Sequence, residues 1–247
     1  MKKKILVFTG AGVSAESGIQ TFRDLNNGLW YNYKVEDVAT PEGWRKDRSK
    51  VLDFYNQRRD QLKDVKPNLA HKIIADLEKD YDVTVITQNV DDLHERAGST
   101  NVVHLHGELT KARGCMYDHK SSQLDNIIDI GYNPINIGDK CSVTGSQLRP
   151  HIVWFGEMLD SGNIDYSRKV ATMADVCIVV GTSMQVTPAN TIPFLTKETS
   201  TIYYVDLSDI DFYIPEQRRS FFQHYQEPAS TGMQKVYDDL IKIYKNA

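Results

Sequence analysis

Nothing constrains this chain more than the passage from Lys4-Ile5-Leu6-Val7-Phe8-Thr9 into Gly10-Ala11-Gly12-Val13-Ser14-Ala15. The first six residues form a short apolar run, partly β-branched, which reads as a buried strand and is too short for a helix of its own. A buried strand that runs straight into Gly-x-Gly-x-x-Ala is the opening of a dinucleotide-binding unit. In such a unit Gly10 permits the tight turn, Gly12 lets the backbone approach a pyrophosphate, and Ala15 keeps the following helix close to the sheet. Free N–H groups at that helix start favour a phosphate. The glycines alone are equally compatible with an ordinary strand–turn–helix. The residues around and beyond them are less ordinary: Ser14 and Ser17 bracket the turn with hydroxyls, Gly18 breaks the helix early, and Phe22-Arg23-Asp24 come next. A ring beside a permanent cation, just past a phosphate loop, suits a ligand carrying both a ring and phosphates. The plainer reading puts Phe22 in the core and Arg23 in a surface salt bridge.

Downstream, short apolar runs alternate with helical patterns. A helix is predicted from Asp47 to about Val65, where Val51, Phe54, Tyr55, Arg58 and Leu62 share one face. Pro67-Asn68 ends it, and a second helix runs from Leu69 to Asp80. Strands are expected at 82–89, 102–107, 151–157, 176–183 and 201–206, with helices at 93–98, 165–175, 188–199 (Pro193 as a kink) and 232–245. From Glu108 to about Pro150 the texture is polar and aperiodic, with two cysteines, so this stretch should carry strands or a metal of its own. The alternation predicts an α/β fold, a doubly wound parallel Rossmann-like sheet with a small inserted helical and irregular module. The dinucleotide-binding domain would comprise 1–30, 80–107 and 150–247, and the small domain 31–79 and 108–149.

At 247 residues the chain is long enough for one large core without disulfides. Its net charge of −4 gives no whole-protein pull toward nucleic acid or an anionic membrane. Three cysteines argue against a secreted disulfide framework. Lys2-Lys3-Lys4 resembles the start of a signal peptide, but Gly10 cuts the apolar stretch short, and no run approaches a membrane span. A cytoplasmic location and a monomer are expected.

In open α/β sheets ligands bind beyond the carboxyl ends of the strands. Those ends carry the glycine loop, Gln88-Asn89 with Asp91 beyond, His106-Gly107, Phe155-Gly156-Glu157, Gly181-Thr182-Ser183 and Asp206. No Ser or Cys sits on a nucleophile elbow, so acyl-enzyme chemistry has no obvious agent. His106 is the best base candidate, since imidazole titrates near neutral pH; His104 is read as structural.

These residues resemble a known family. Gly10 to Ile19 with Phe22-Arg23, then Thr87-Gln88-Asn89-Val90-Asp91, His106-Gly107, Val153-Trp154-Phe155-Gly156-Glu157 and Gly181-Thr182-Ser183 are similar, in order, to the motifs of sirtuins, the NAD-dependent protein deacylases. The resemblance runs from about residue 5 to 245. It implies NAD across the sheet edge, its phosphates on the Gly10, Ala11, Gly12, Ser14 and Ala15 loop and near Ser183. It implies an acyl-lysine peptide as substrate, His106 as general base on a ribose hydroxyl, and free lysine, nicotinamide and O-acyl-ADP-ribose as products. Asn89 would order the ribose and water, Asp91 the nicotinamide carboxamide, and Arg23 the reacting end of NAD. Gln88, Gly181 and Thr182 would complete the cofactor edge. Val153, Trp154, Phe155, Gly156 and Glu157 would pair with the peptide backbone as an added strand.

Tyr55-Asn56-Gln57-Arg58, with Ala39 upstream, resembles class III sirtuins, in which a Tyr and an Arg three residues apart bind a carboxylate-tipped acyl group. Positions i and i+3 share a helix face, and Arg with a phenol matches a carboxylate. Without the family the pair reads as a solvated helix face, and Arg59 beside it as surface. The expected activity is therefore removal of succinyl or malonyl groups. Two departures stand out. The family's two Cys-x-x-Cys pairs for structural zinc are reduced to Cys115 with Asp118 and Cys141 with Thr144, so no metal is expected. Asp206 stands where the family often has Asn near the adenine ribose, and its charge would disfavour a 2′-phosphate. Ala229 resembles the adenine-side loop. Protein ADP-ribosyltransfer and a non-catalytic NAD- or ADP-ribose-binding module remain the alternatives; a redox dehydrogenase would return NADH.

Overall fold

The computed structural model describes residues 2–19, 33–115 and 126–244. In chain order it holds β1 (Lys4–Thr9), α1 (Gly12–Ala15), α2 (Val35–Val38), α3 (Pro41–Lys46), α4 (Arg48–Gln61), α5 (Leu69–Leu77), β2 (Asp82–Thr87), α6 (Leu93–Ala97) and β3 (Val102–His104). Then come β4 (Gly107–Gly114), β5 (Ile127–Asp129), β6 (Leu148–Ile152), α7 (Ser161–Met173), β7 (Val176–Val180), β8 (Thr201–Val205), β9 (Phe222–Tyr225) and α8 (Ala229–Tyr244). Short 3₁₀ helices occupy Ala189–Leu195 and Glu216–Phe221.

Six strands form one parallel sheet in the order β3-β2-β1-β7-β8-β9. With the inserted strands set aside this is the doubly wound nucleotide-binding order, and the strand order reverses between β1 and β7. Alternation along β1 divides the two faces. Ile5 and Val7 join α5 and α8 through Ile74, Leu77 and Met233, whereas Leu6 and Phe8 join the α7 side through Ile164 and Ala171. Burial on both faces is why these strands read as continuous apolar runs. Among the described residues no helix is long and apolar enough to cross a membrane.

The sheet does not resume at 151–157. β6 instead pairs antiparallel with β4, in a separate three-stranded sheet ordered β5-β4-β6. Pro150 lies within β6, which a sheet tolerates on an edge strand. Residues 153–157 are a turn, with Gly156 at φ +86°, a conformation that L side chains adopt rarely. Of the Val-Trp-Phe run only Trp154 enters the small-domain core, while Phe155 is exposed. The predicted helix at 188–199 shrinks to its 3₁₀ segment, and the helix from Leu69 stops at Leu77. β9 has no counterpart among the strands expected from the sequence.

The small sheet and α2–α4 share a core built around Trp44, Val51, Phe54, Tyr55, Leu109 and Trp154. Arg59, read as surface, is fully buried. Its Nε donates to the Leu109 carbonyl at 2.6 Å and its Nη1 to Asn56 Oδ1 at 2.8 Å, pinning α4 to β4. Burial lowers its pKa to about 10. Cys141 is buried and Cys115 half-buried in this module. The Thr144 and Ser146 hydroxyls are bonded to each other at 2.7 Å, and the Cys141 N–H donates to the Ser146 carbonyl at 2.8 Å. No cluster of three or more His, Cys, Asp or Glu side chains suited to a metal occurs among the described residues; Asp118 and His119 lie outside them.

Candidate active site

At the carboxyl edge of the sheet the chain leaves a cavity of about 1140 Å³. Every predicted site residue that is described lines it. Phe22 and Arg23 lie outside the described residues. The cavity spans the reversal between β1 and β7, then continues beneath α4 and the 153–157 turn.

The glycine loop packs closely against a second protein loop, a contact that the sequence did not reveal. A Cβ on Gly12 would stand 2.7 Å from the Gly181 Cα, and one on Gly10 would meet Thr182 at 2.6 Å. These glycines are thus needed for the close approach of two protein loops. The Gly12 N–H donates to the Gly181 carbonyl at 2.8 Å, and the Gly10, Val13 and Ser14 N–H groups also have backbone partners. Within 10–14, Ala11 alone keeps an N–H that has no partner among the described residues and faces a ligand-sized space. At the far end Asp206, after β8, turns on itself by accepting from the Ser208 N–H at 2.8 Å. The Glu16 carboxylate accepts from the Ser230 N–H at 2.8 Å, tying α1 to the first turn of α8 beside Ala229. A crevice of this size at the carboxyl edge of the sheet, lined by the Asp206 carboxylate and the Ala11 loop, is large enough for a dinucleotide.

Between them lies a polar knot. The Ser14 hydroxyl donates to Asp91 Oδ2 at 3.0 Å and accepts from Asn89 Nδ2 at 3.1 Å. Asn89 is held further by Thr87 Oγ1, which accepts its N–H at 3.0 Å. Burial raises the Asp91 pKa, against the Leu93 N–H and Ser14 hydroxyl that favour its charge. Gln88 Nε2 donates to Thr182 Oγ1 at 3.0 Å, linking the ends of β2 and β7.

His106 lies just past β3. Its Nδ1 lies 2.9 Å from the Gln88 carbonyl, which only accepts, so Nδ1 carries the proton and Nε2 keeps a lone pair. Burial lowers its pKa, partly opposed by that carbonyl. The ring is therefore neutral at pH 7, as a base must be. His104 is buried, with Nδ1 on the Asn89 carbonyl at 2.9 Å and Nε2 on Glu95 at 2.8 Å. Burial lowers its pKa, but Glu95 outweighs that and raises it overall. It is structural, and it braces the loop that carries Asn89.

On the α4 side, Ala39 and Tyr55 are buried, and Arg58 is half-buried at the cavity wall. Burial pushes the Tyr55 pKa up to about 12, so its hydroxyl stays protonated. In the 153–157 turn, the Val153 N–H donates to the His106 carbonyl at 2.9 Å and the Phe155 N–H to the Ala39 carbonyl at 3.0 Å. The Trp154 and Glu157 N–H groups have partners as well. The turn therefore offers a peptide the Gly156 N–H and main-chain carbonyls, fewer groups than a full strand edge. Glu157 does not reach out. Its carboxylate accepts from Arg149 Nη1 at 2.6 Å and from Arg113 Nη2 at 3.1 Å. Residues 185–188 also line the cavity and were not singled out; Val186, exposed and apolar just beyond a polar strand end, was the available signal.

Residues 10–188 match the family model described as "Sir2 family". A protein of Bacteroides thetaiotaomicron named NAD-dependent protein deacylase is 47% identical over 209 residues, covering 85% of this chain and 87% of its own. A Helicobacter pylori protein of the same name is 44% identical over 241 residues, covering 98% of this chain and 99% of its own. A solved Sir2 homologue in complex with ADP-ribose superposes with a TM-score of 0.84 at 36% identity, covering 99% of this chain and 94% of that one. A Sir2 homologue–NAD complex gives 0.81 at 37% identity, covering 98% and 91%. The switch-point crevice, the neutral imidazole beside it and these likenesses in sequence and fold lead to one conclusion: the chain belongs to the Sir2 family.

Proposed function

We propose that this Sir2-family, NAD-dependent protein deacylase acts on lysines carrying acidic acyl groups, succinyl and malonyl, in preference to acetyl. The observation that carries this reading is the placement of Tyr55 and Arg58 in the wall of the cavity that His106 also lines. A phenol donor and a guanidinium three residues apart on α4 match a carboxylate, and the Ala39 side chain opposite is small. Bound NAD supplies the electrophilic ribose carbon and the nicotinamide leaving group. Toward it, Asp206 would hold ribose hydroxyls, Ala11 a phosphate, and Ser14, Asn89 and Asp91 the nicotinamide end. His106 Nε2 would take the proton of a ribose hydroxyl, while its Nδ1–H stays on Gln88. The Gly156 N–H and neighbouring carbonyls would bind the peptide backbone.

One peptide in acetyl-, malonyl- and succinyl-lysine forms, incubated with NAD and followed by mass spectrometry, tests the reading. Succinyl or malonyl loss with nicotinamide release is expected. Arg58→Met should lower the ratio of succinyl to acetyl kcat/KM about 30-fold, the cost of leaving a carboxylate without its cation being at least roughly 2 kcal/mol. An unchanged ratio would remove the acyl assignment and leave the deacylase. ADP-ribose retained on a protein, without acyl transfer, would favour ADP-ribosyltransfer.

A further inference from the structure

Tyr55 is not alone at the end of its ring. The indole Nε1 of Trp154 donates to the Tyr55 hydroxyl at 3.0 Å, inside a core where both side chains are 2% exposed. An indole N–H only donates, so the Tyr55 proton cannot return along the same contact. A phenol oxygen that accepts on one side presents its proton on the other. That proton has no acceptor among the described residues, and Tyr55 lines the cavity.

The indole is itself held in place. The Arg149 guanidinium lies 3.3 Å over the Trp154 ring, and Trp44 packs against it at a centroid distance of 5.7 Å. Arg149 Nη2 donates to the Ile152 carbonyl at 2.9 Å, while its Nη1 and Nη2 grip Glu157 at 2.6 and 3.0 Å. The Trp154 N–H donates to Glu157 Oε2 at 2.9 Å, so main chain and ring are fixed by one carboxylate–guanidinium pair.

We propose that Trp154 is a specificity-determining positioning residue: its indole N–H occupies the Tyr55 oxygen and thereby aims the Tyr55 hydroxyl proton into the acyl pocket. The inference rests on the acidic-acyl reading above. A carboxylate-tipped acyl group meets a donor already turned toward it. An acetyl group leaves that donor buried without a partner, which costs binding as surely as the carboxylate gains it. Arg149 and Glu157 act behind Trp154 by holding the ring.

The test is a double-mutant cycle between Trp154→Phe and Tyr55→Phe, read as kcat and KM for succinyl- and acetyl-lysine forms of one peptide. Trp154→Phe should lower the succinyl-to-acetyl ratio of kcat/KM roughly 5–10-fold, the worth of one hydrogen bond, with the change in KM. In the Tyr55→Phe background it should change the ratio by less than twofold, because no hydroxyl remains to orient. Site-specific 3-benzothienylalanine at position 154 keeps the indole shape without the N–H, and should reproduce the Trp154→Phe ratio if the phenylalanine variant folds poorly. Equal losses for both acyl groups, or an unchanged ratio with the isostere, overturn the inference and leave the acidic-acyl reading standing. A wild-type enzyme without acidic-acyl preference overturns both.

Discussion

Replacing His106 by alanine is expected to lower kcat/KM for deacylation by about 10²–10⁴-fold, the range that a positioned general base contributes. Melting behaviour should barely change, because among the described residues the ring makes one hydrogen bond, to the Gln88 carbonyl. The pH profile carries the same assignment. Burial favours the neutral ring, so the folded pKa lies below the usual imidazole value of about 6.5. The base is competent above that pKa and is lost as pH falls through it. The acid limb of kcat/KM should therefore have its midpoint below pH 6.5, with a plateau at 7 and above. Stopped assays from pH 5 to 8, at fixed ionic strength, check this; a midpoint above 7, or a limb that persists in the alanine variant, assigns the proton to another group.

The largest effect on stability is expected from Glu157→Ala. Burial alone would raise the Glu157 pKa, but Arg149 and Arg113 outweigh it and hold the carboxyl below its usual range. The three side chains are nearly closed to solvent, at 13%, 5% and 6% exposure for Glu157, Arg149 and Arg113. Removing the anion leaves two guanidinium groups with too little compensation in a dry place, a loss of roughly 3–5 kcal/mol. For a chain of this size that is a fall in melting temperature of roughly 6–20 °C. Glu157→Gln, which keeps the shape and one acceptor oxygen, should fall between. Calorimetry on the three proteins decides it, and a shift under about 2 °C for alanine would mean that water reaches the pair.

The contrast between these residues shows what a sequence exposes. β1, β2, β7 and β8 were legible because both faces are covered, so most of their positions are apolar. The polar residues at their ends were legible because an amide or hydroxyl that interrupts such a run has few structural excuses. β9 was not: Phe222-Gln223-His224-Tyr225 sits on the sheet edge, and its two central polar residues break any apolar run. The 153–157 segment is deceptive because an apolar run has the same composition whether it forms a strand or a turn. Arg59 could not be placed, since its partner is a main-chain carbonyl on β4 and backbone acceptors leave no trace in a sequence. Nor does a sequence show that Arg113 and Arg149 hold the Glu157 carboxylate, because they reach it only after β4 and β6 pair. The Tyr55–Trp154 contact joins residues nearly a hundred positions apart and obeys no spacing rule.

The seam between the first glycine loop and Gly181 also bears on how the protein is made. The Gly10–Ser14 segment is synthesised well before β7, yet its Gly12 amide finds its backbone partner only once the loop after β7 has been made and β7 has slotted beside β1. Until then β1 can pair only with β2, and the crevice lacks a wall. A nascent or truncated chain ending before Gly181 would display an unpaired apolar β1 edge and is expected to aggregate.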